Sequence, residues 1–254
     1  MAGAPPVLAA VAGGRLPVAF EMDEREVTSL NRPAAVFVHA PRQSYLPLVA
    51  LGAATAFQDS APQVGPQGIW FSTISGVPLR WDLPLGLLYD AHGHGILPWR
   101  VLVRFRDFPS AQLLKSGLKE TETMFFHSLK QALNLLNGSA RSFMDMRQHD
   151  QEALWQAVET GRFIDAWRIA QPLISSEVHF APIRLLSSRS FEVRQVPVPW
   201  EGTTLEDAID ALAAGRKWEN PLVQGISPPL DSPVKELVRQ MAAPDLFLYI
   251  CVDM

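Results

Sequence analysis

The chain has 254 residues, of which 48% are apolar and 19% charged, and a formal net charge of −4. That length calls for two or three domains, and that composition excludes broad disorder. The basic residues form no run, which argues against nucleic-acid binding, and a single cysteine, Cys251, excludes an intrachain disulfide framework and a cysteine-based zinc site.

The opening stretch has the apolarity of a signal peptide, but it lacks a basic start and is interrupted by Pro5 and Pro6. A short amphipathic helix over residues 6–12 is predicted instead, with proline in its first turn. Strands follow at 15–22 and 34–39. Apolar residues at helical spacing (Val49, Ala53, Ala56, Phe57) predict a helix over 45–57, with Ser44 as its N-cap. Residues 69–74 read as a strand and 75–78 as a turn, after which 79–81 resume the strand. A short helix over 84–90 precedes a strand over 99–106, which alternates apolar and basic residues over much of its length and is expected to be half exposed.

This order of strands and helices, over residues 1–107, is that of a ubiquitin-like β-grasp, although pattern alone leaves other α+β folds open. Residues 108–178 read as helical. Helices are predicted at 119–137, with Gly138 as C-cap, at 149–158, closing near Gly161, and at 162–174. Trp155 and Trp167 fall at core positions of the last two. Residues 179–254 repeat the first logic. A hairpin spans 180–187 and 191–198, and Thr203 or Thr204 caps a helix over 205–212. A strand and turn cover 221–226, a helix opened by Pro233 runs to 241, and a final strand spans 245–252. Cys251 sits in that apolar run and reads as a buried structural thiol. No stretch reaches the ~18 apolar residues of a transmembrane helix.

Enzyme signatures are missing. There is no Gly-x-Ser-x-Gly, P-loop or Gly-x-Gly-x-x-Gly motif. His92 and His94 alternate as chelating histidines can, but a third ligand is not evident nearby, and a solvated loop is the expected reading. An autonomous active site or a bound cofactor is therefore not expected.

Lysine is scarce: Lys115, Lys119, Lys130, Lys217 and Lys235 stand against 17 arginines. Arginine keeps its proton and forms no amide bonds, so few side chains can act as an amine nucleophile. Lys130 lies on the long central helix, at the flank of a stripe formed by Phe125, Leu129, Ala132, Leu133 and Leu136. Its stem can cover apolar surface while its amine reaches water. Two readings stay open: a snorkelling surface lysine, or an acceptor amine whose proton a partner enzyme removes.

The chain as a whole resembles the autophagy-related protein 5 family. The resemblance rests on an ordered set of motifs. It runs from Gly14-Arg15-Leu16-Pro17 through Pro41-Arg42-Gln43-Ser44-Tyr45-Leu46 and Ile69-Trp70-Phe71. It continues with Gly76-Val77-Pro78-Leu79-Arg80-Trp81, Pro84-Leu85-Gly86-Leu87-Leu88-Tyr89-Asp90 and Leu97-Pro98-Trp99. In the helical part Leu154-Trp155 and Arg162-Phe163-Ile164-Asp165-Ala166-Trp167 match. Near the end Pro182-Ile183-Arg184, Gly225-Ile226-Ser227-Pro228 and Pro244-Asp245-Leu246-Phe247-Leu248 match.

The resemblance implies an α+β chain of two ubiquitin-like β-grasp domains flanking a helix-rich domain. It also implies a non-enzymatic acceptor of the ubiquitin-like modifier autophagy-related protein 12. Lys130 would carry that modifier through an isopeptide bond. The E2-like partners would be autophagy-related proteins 10 and 3. The coiled-coil partner would be autophagy-related protein 16, docked in a groove to which Arg42 and Gly76 are candidate contributors. The assembly would act like an E3 in the lipidation of autophagy-related protein 8 with phosphatidylethanolamine. Its place would be cytoplasmic, and peripheral on preautophagosomal membranes. A non-covalent adaptor for the same partners is the alternative. One departure stands out. Family members often read Lys-Glu-Ala-Asp at the acceptor, whereas this chain reads Lys130-Gln131-Ala132-Leu133.

Overall fold

The computed structural model describes residues 5–64, 68–190 and 192–254. It divides into two compact units: Arg15–Met124, and Phe125–Met254 together with the described part of Met1–Gly14. Helix α1 (Pro6–Gly13) belongs to the latter and packs on two of its helices, described below.

In the unit Arg15–Met124, β1 (Arg15–Met22) pairs antiparallel with β2 (Val36–Pro41). Helices α2 (Leu46–Val49) and α3 (Leu51–Phe57) lead to β3 (Trp70–Thr73). Helix α4 (Leu85–His92) then leads to β4 (Trp99–Arg104). The strand order is β2-β1-β4-β3, with the central pair β1 and β4 parallel and β3 antiparallel to β4. This is a grasp sheet: first and last strands side by side, with a helical crossover between them. Val18, Phe20 and Met22 alternate along β1 and are buried with Val101 and Val103 of β4 and Phe57 of α3. Each such side chain contributes roughly 1.5–3 kcal/mol by leaving water.

The unit containing Phe125–Met254 begins with four helices. These are the C-terminal part of α5 (Leu118–Asn137), then α6 (Arg141–Met144), α7 (Gln148–Glu159) and α8 (Phe163–Ala170). Two short strands, β5 (Phe180–Ala181) and β8 (Val198–Pro199), form a separate antiparallel pair. The main sheet is β7-β6-β10-β9, made of β6 (Ile183–Ser187), β7 (Val193–Arg194), β9 (Glu219–Leu222) and β10 (Leu248–Asp253). Its central pair, β6 and β10, is again parallel, with antiparallel neighbours outside. Helix α9 (Leu205–Ala213) starts with a complete capping box: Asp207 N–H donates to Thr204 Oγ1, and Thr204 N–H donates to Asp207 Oδ2. Helix α10 (Val234–Met241) begins directly after Pro233, and α1 packs on it and on α8. The second grasp motif is thus built like the first.

Several local expectations need correction. The single helix over 45–57 is two, α2 and α3, joined at Ala50. Ser44 caps neither. Tyr45 holds the N-cap position of α2, with no side-chain cap bond, and Pro47 occupies the first turn, where its missing N–H costs nothing. Ser44 is buried, and its carbonyl instead accepts from Leu85 N–H at 2.7 Å.

Residues 79–81 do not continue a strand. Leu79 N–H bonds Phe71 O, and Trp81 turns inward to donate from Nε1 to Leu114 O at 2.8 Å. The helix predicted over 162–174 ends at Ala170, because Pro172 lacks the N–H to continue it and a 3-10 turn, Gln171–Leu173, follows. Pro182 likewise separates β5 from β6. The expected start of the second hairpin strand, Phe191, lies outside the described residues.

The strand ending at Arg104 is not simply half exposed. Arg104 is buried, with its Nε 2.8 Å from Glu26 Oε1 and its Nη1 2.7 Å from Asp23 Oδ2. Arg25 bonds the Asp23 carboxyl from side chain and backbone, and with the Arg104 charge holds its pKa at about 2 against the pull of burial.

Candidate modification site

The long helix α5 positions Lys130, and its apolar stripe is what fixes the helix. Phe125, Leu129, Ala132, Leu133 and Leu136 are all buried, Leu133 completely. Gly138 follows at φ +70°, the left-handed backbone that a C-terminal helix cap requires. Lys130 is half buried at the edge of the stripe, as the wheel predicts. Its Nζ lies 5.1 Å from the centroid of the Phe143 ring. Among the described residues it makes no ion pair and no hydrogen bond, so its ammonium is not tied to a carboxylate.

Phe143 comes from α6, a four-residue helix without enough periodicity to be seen in the sequence. Its ring is buried and packs 5.3 Å from the ring of Phe126, which in turn meets Phe125 at 5.4 Å and Trp155 at 6.5 Å. Asn137, at the end of α5, reaches this helix through a 3.4 Å hydrogen bond from Nδ2 to Ser142 Oγ. The Asn137 amide donates to Leu173 O at 2.8 Å and accepts from Ser175 N–H at 2.8 Å.

On its neighbouring face, α5 is anchored by Arg184 of β6. Its guanidinium donates to Gln131 Oε1 at 2.6 Å, Ser128 Oγ at 3.0 Å, Tyr249 Oη at 3.1 Å and Gln195 Oε1 at 3.0 Å. It also stacks 3.7 Å over the Phe247 ring. Beneath it Tyr249 Oη donates to Asp245 Oδ2 at 2.6 Å, and Phe247 N–H donates to Asp245 Oδ1. Burial pushes the Asp245 carboxyl above its ordinary range, while the Arg184 charge and these bonds pull it back. Burial first, and the Asp245 charge second, push the Tyr249 hydroxyl well above its usual value.

Both positions at which the resemblance led acids to be expected hold engaged side chains. Gln131 spends its carbonyl on Arg184, and Leu133 is a core residue. Neither side chain stands free beside Lys130.

The other candidates lie elsewhere. Arg42, after β2, forms an ion pair with Asp90 of α4, with Nη2 2.6 Å from both carboxylate oxygens. The two side chains are only 12% and 5% exposed, so this is an internal clamp. The clamp is tightened by Gly86 N–H donating to Arg42 O at 2.6 Å. Gly76 is exposed at φ +88° in the turn after β3, where its N–H bonds Thr73 O. His92 is held neutral, its pKa lowered to about 4 by burial and secondarily by His94. Among the described residues no three His, Cys, Asp or Glu side chains form a metal-binding group. Cys251 is buried in β10. Trp155 packs against Phe125 at 5.8 Å, and Trp167 is half buried.

Three family models match along the chain. They are described as the UblA domain, the alpha-helical bundle region and the UblB domain of autophagy protein ATG5, and they cover residues 11–105, 118–176 and 180–252. The chain belongs to the autophagy protein 5 family.

Its role is accordingly in autophagy. Autophagy protein 5 of Aspergillus fumigatus is 28% identical, over 96% of this chain and 94% of its own. The Arabidopsis thaliana protein of the same name is 35% identical over 63% of this chain and 47% of its own. The crystal structure of Kluyveromyces marxianus Atg5 shares the fold, with a TM-score of 0.85 over 97% of this chain and 99% of that one, at 21% identity. The two grasp motifs are therefore ubiquitin-like domains, and they flank a helical bundle.

Proposed function

We propose that this autophagy protein is a scaffold whose Lys130 accepts a ubiquitin-like modifier, autophagy-related protein 12, through an isopeptide bond. The observation that carries this reading is the setting of the amine. Lys130 stands on a long helix anchored on two sides, with its ammonium unpaired among the described residues. A rigid support lowers the cost of bringing the nucleophile to an activated carbonyl. The chain supplies no catalytic group. The proton is taken up by the E2-like partner, autophagy-related protein 10, and the activating chemistry belongs to other proteins.

The conjugate binds the coiled-coil protein autophagy-related protein 16. Arg42 and Gly76 of the first ubiquitin-like domain contribute to that docking: Gly76 by exposed backbone, Arg42 by holding the chain after β2 against α4. The assembly acts like an E3 toward autophagy-related protein 3, promoting transfer of autophagy-related protein 8 to phosphatidylethanolamine. It works from the cytoplasm, peripherally on preautophagosomal membranes. Among the described residues no helix is long and apolar enough to cross a membrane.

The missing acids at positions 131 and 133 favour a second reading, a non-covalent adaptor for the same modifier and partner. Reconstitution with modifier, E1 and E2 separates the two. A denaturant-resistant adduct with a branched peptide at Lys130 supports conjugation. Co-purification without an adduct supports the adaptor.

A further inference from the structure

The least expected neighbour of Lys130 is an aromatic ring. We propose that Phe143 is a positioning residue for the acceptor amine, presenting Lys130 to the activated modifier; this rests on the conjugation reading above.

The ring is fixed independently of the lysine. It is buried, packed on Phe126, and carried on a helix whose Ser142 Oγ accepts from Asn137 Nδ2 at 3.4 Å, an amide that also bonds Leu173 O and Ser175 N–H. Lys130, in contrast, has four rotatable side-chain bonds. Among the described residues the ring, at 5.1 Å, is the polarising contact its ammonium makes. A cation is drawn to the negative face of an aromatic ring, so the stem spends less of its time in other rotamers. A carboxylate would hold the amine more tightly, but it would also have to be displaced before reaction. The ring restrains the direction of the stem and leaves the nitrogen open to attack.

The step itself is simple in its balance. Lys130 Nζ loses a proton and attacks the thioester carbonyl of the modifier carried on its E2. The N–C bond forms and the C–S bond breaks. The sulfur leaves as thiolate and takes up a proton. Phe143 touches none of these atoms, so its effect is on how often the nitrogen points at the carbonyl.

The test is single-turnover conjugation with the full chain and thioester-loaded E2. Phe143→Leu and Phe143→Met keep an apolar side chain without a π face, and Phe143→Tyr keeps the face. Melting temperatures are measured in parallel, so that one folded aliphatic variant suffices. The expected result is a maximal rate about tenfold lower in the aliphatic variants, with half-saturation for loaded E2 unchanged, and recovery to within about twofold in the tyrosine variant. A folded aliphatic variant that conjugates at the wild-type rate, or a tyrosine variant as slow as leucine, overturns the proposal. Lys130→Arg is the control for the reading beneath it. If that variant still forms the adduct, the acceptor assignment itself has failed, and this outcome is distinct from either of the other two.

Discussion

Arg184 and Gln131 lie 53 positions apart in sequence, and the Arg184 guanidinium donates to Gln131 Oε1 at 2.6 Å. That bond fastens the helix carrying Lys130 to the central strands of the second ubiquitin-like domain. Arg184 also serves Ser128, Tyr249 and Gln195, so it is the hub of a part-buried polar network. Its loss strands several partners at once. Arg184→Met keeps the stem and removes the hub, and a loss of about 3 kcal/mol is expected from urea denaturation at neutral pH. A loss below about 1 kcal/mol would show that α5 is held by its apolar stripe alone.

Restoring the family acids should have opposite consequences at the two positions. Gln131→Glu keeps an acceptor for Arg184 and makes the bond charge-assisted, so stability should stay within about 1 kcal/mol of the native chain or rise slightly. Leu133→Asp puts a carboxylate at a completely buried position. It should cost about 4 kcal/mol, read as a shift of the urea midpoint. Equal effects of the two substitutions would refute this assignment of faces.

Arg42 makes an internal clamp, so its removal should be felt in stability before binding. Arg42→Ala leaves Asp90 buried without this partner and should cost about 2 kcal/mol. Gly86→Ala tests the same junction. A Cβ there would lie 2.9 Å from Arg42 Cβ and 3.0 Å from Arg42 O, and the latter is backbone that cannot swing aside. Both variants should melt at lower temperature. A coiled-coil binding defect in Arg42→Ala with unchanged melting would instead mean direct contact.

His92 sets a pH dependence. Its pKa is about 4 in the folded chain and near 6.5 when free, because burial disfavours the charged ring. The unfolded chain therefore binds a proton that the folded chain refuses between those values. The contribution is fully present above about pH 6.5 and is lost as pH falls toward 4. Discounted for the solvent that reaches this partly exposed ring, it amounts to about 2 kcal/mol. His92→Gln should flatten the fall in urea midpoint across that window. An equally steep fall in the variant would assign the effect to other groups.

Much of the architecture was legible because periodicity carries it. β1 falls at residues 15–22 as read, and α5 and α10 begin within a residue of their predicted starts. The capping signal at Thr204 becomes a complete capping box. What escaped was local competition. Pro172 and Pro182 each break a run whose apolar spacing looked continuous, and the run over 45–57 divides at Ala50. Trp81 looks like strand but turns inward to reach a carbonyl 33 positions away.

At the candidate site the wheel placed Lys130 correctly on the flank of the stripe. It could not show Phe143, since a four-residue helix has no period to detect. Nor could it show Arg184, since sequence spacing is blind to a contact across 53 positions. Of those two, Arg184 alone sat within a family motif, Pro182-Ile183-Arg184, which was the one available signal.

The most direct test of the account is conjugation of Lys130→Arg beside the native chain, using modifier, E1 and E2, with products resolved on a denaturing gel and mapped by mass spectrometry. Arginine preserves the charge and length of the side chain, so fold and partner binding should survive. The native chain should yield a shifted band with a branched peptide at Lys130, and the variant none. A shifted band of equal intensity in Lys130→Arg would contradict the assignment.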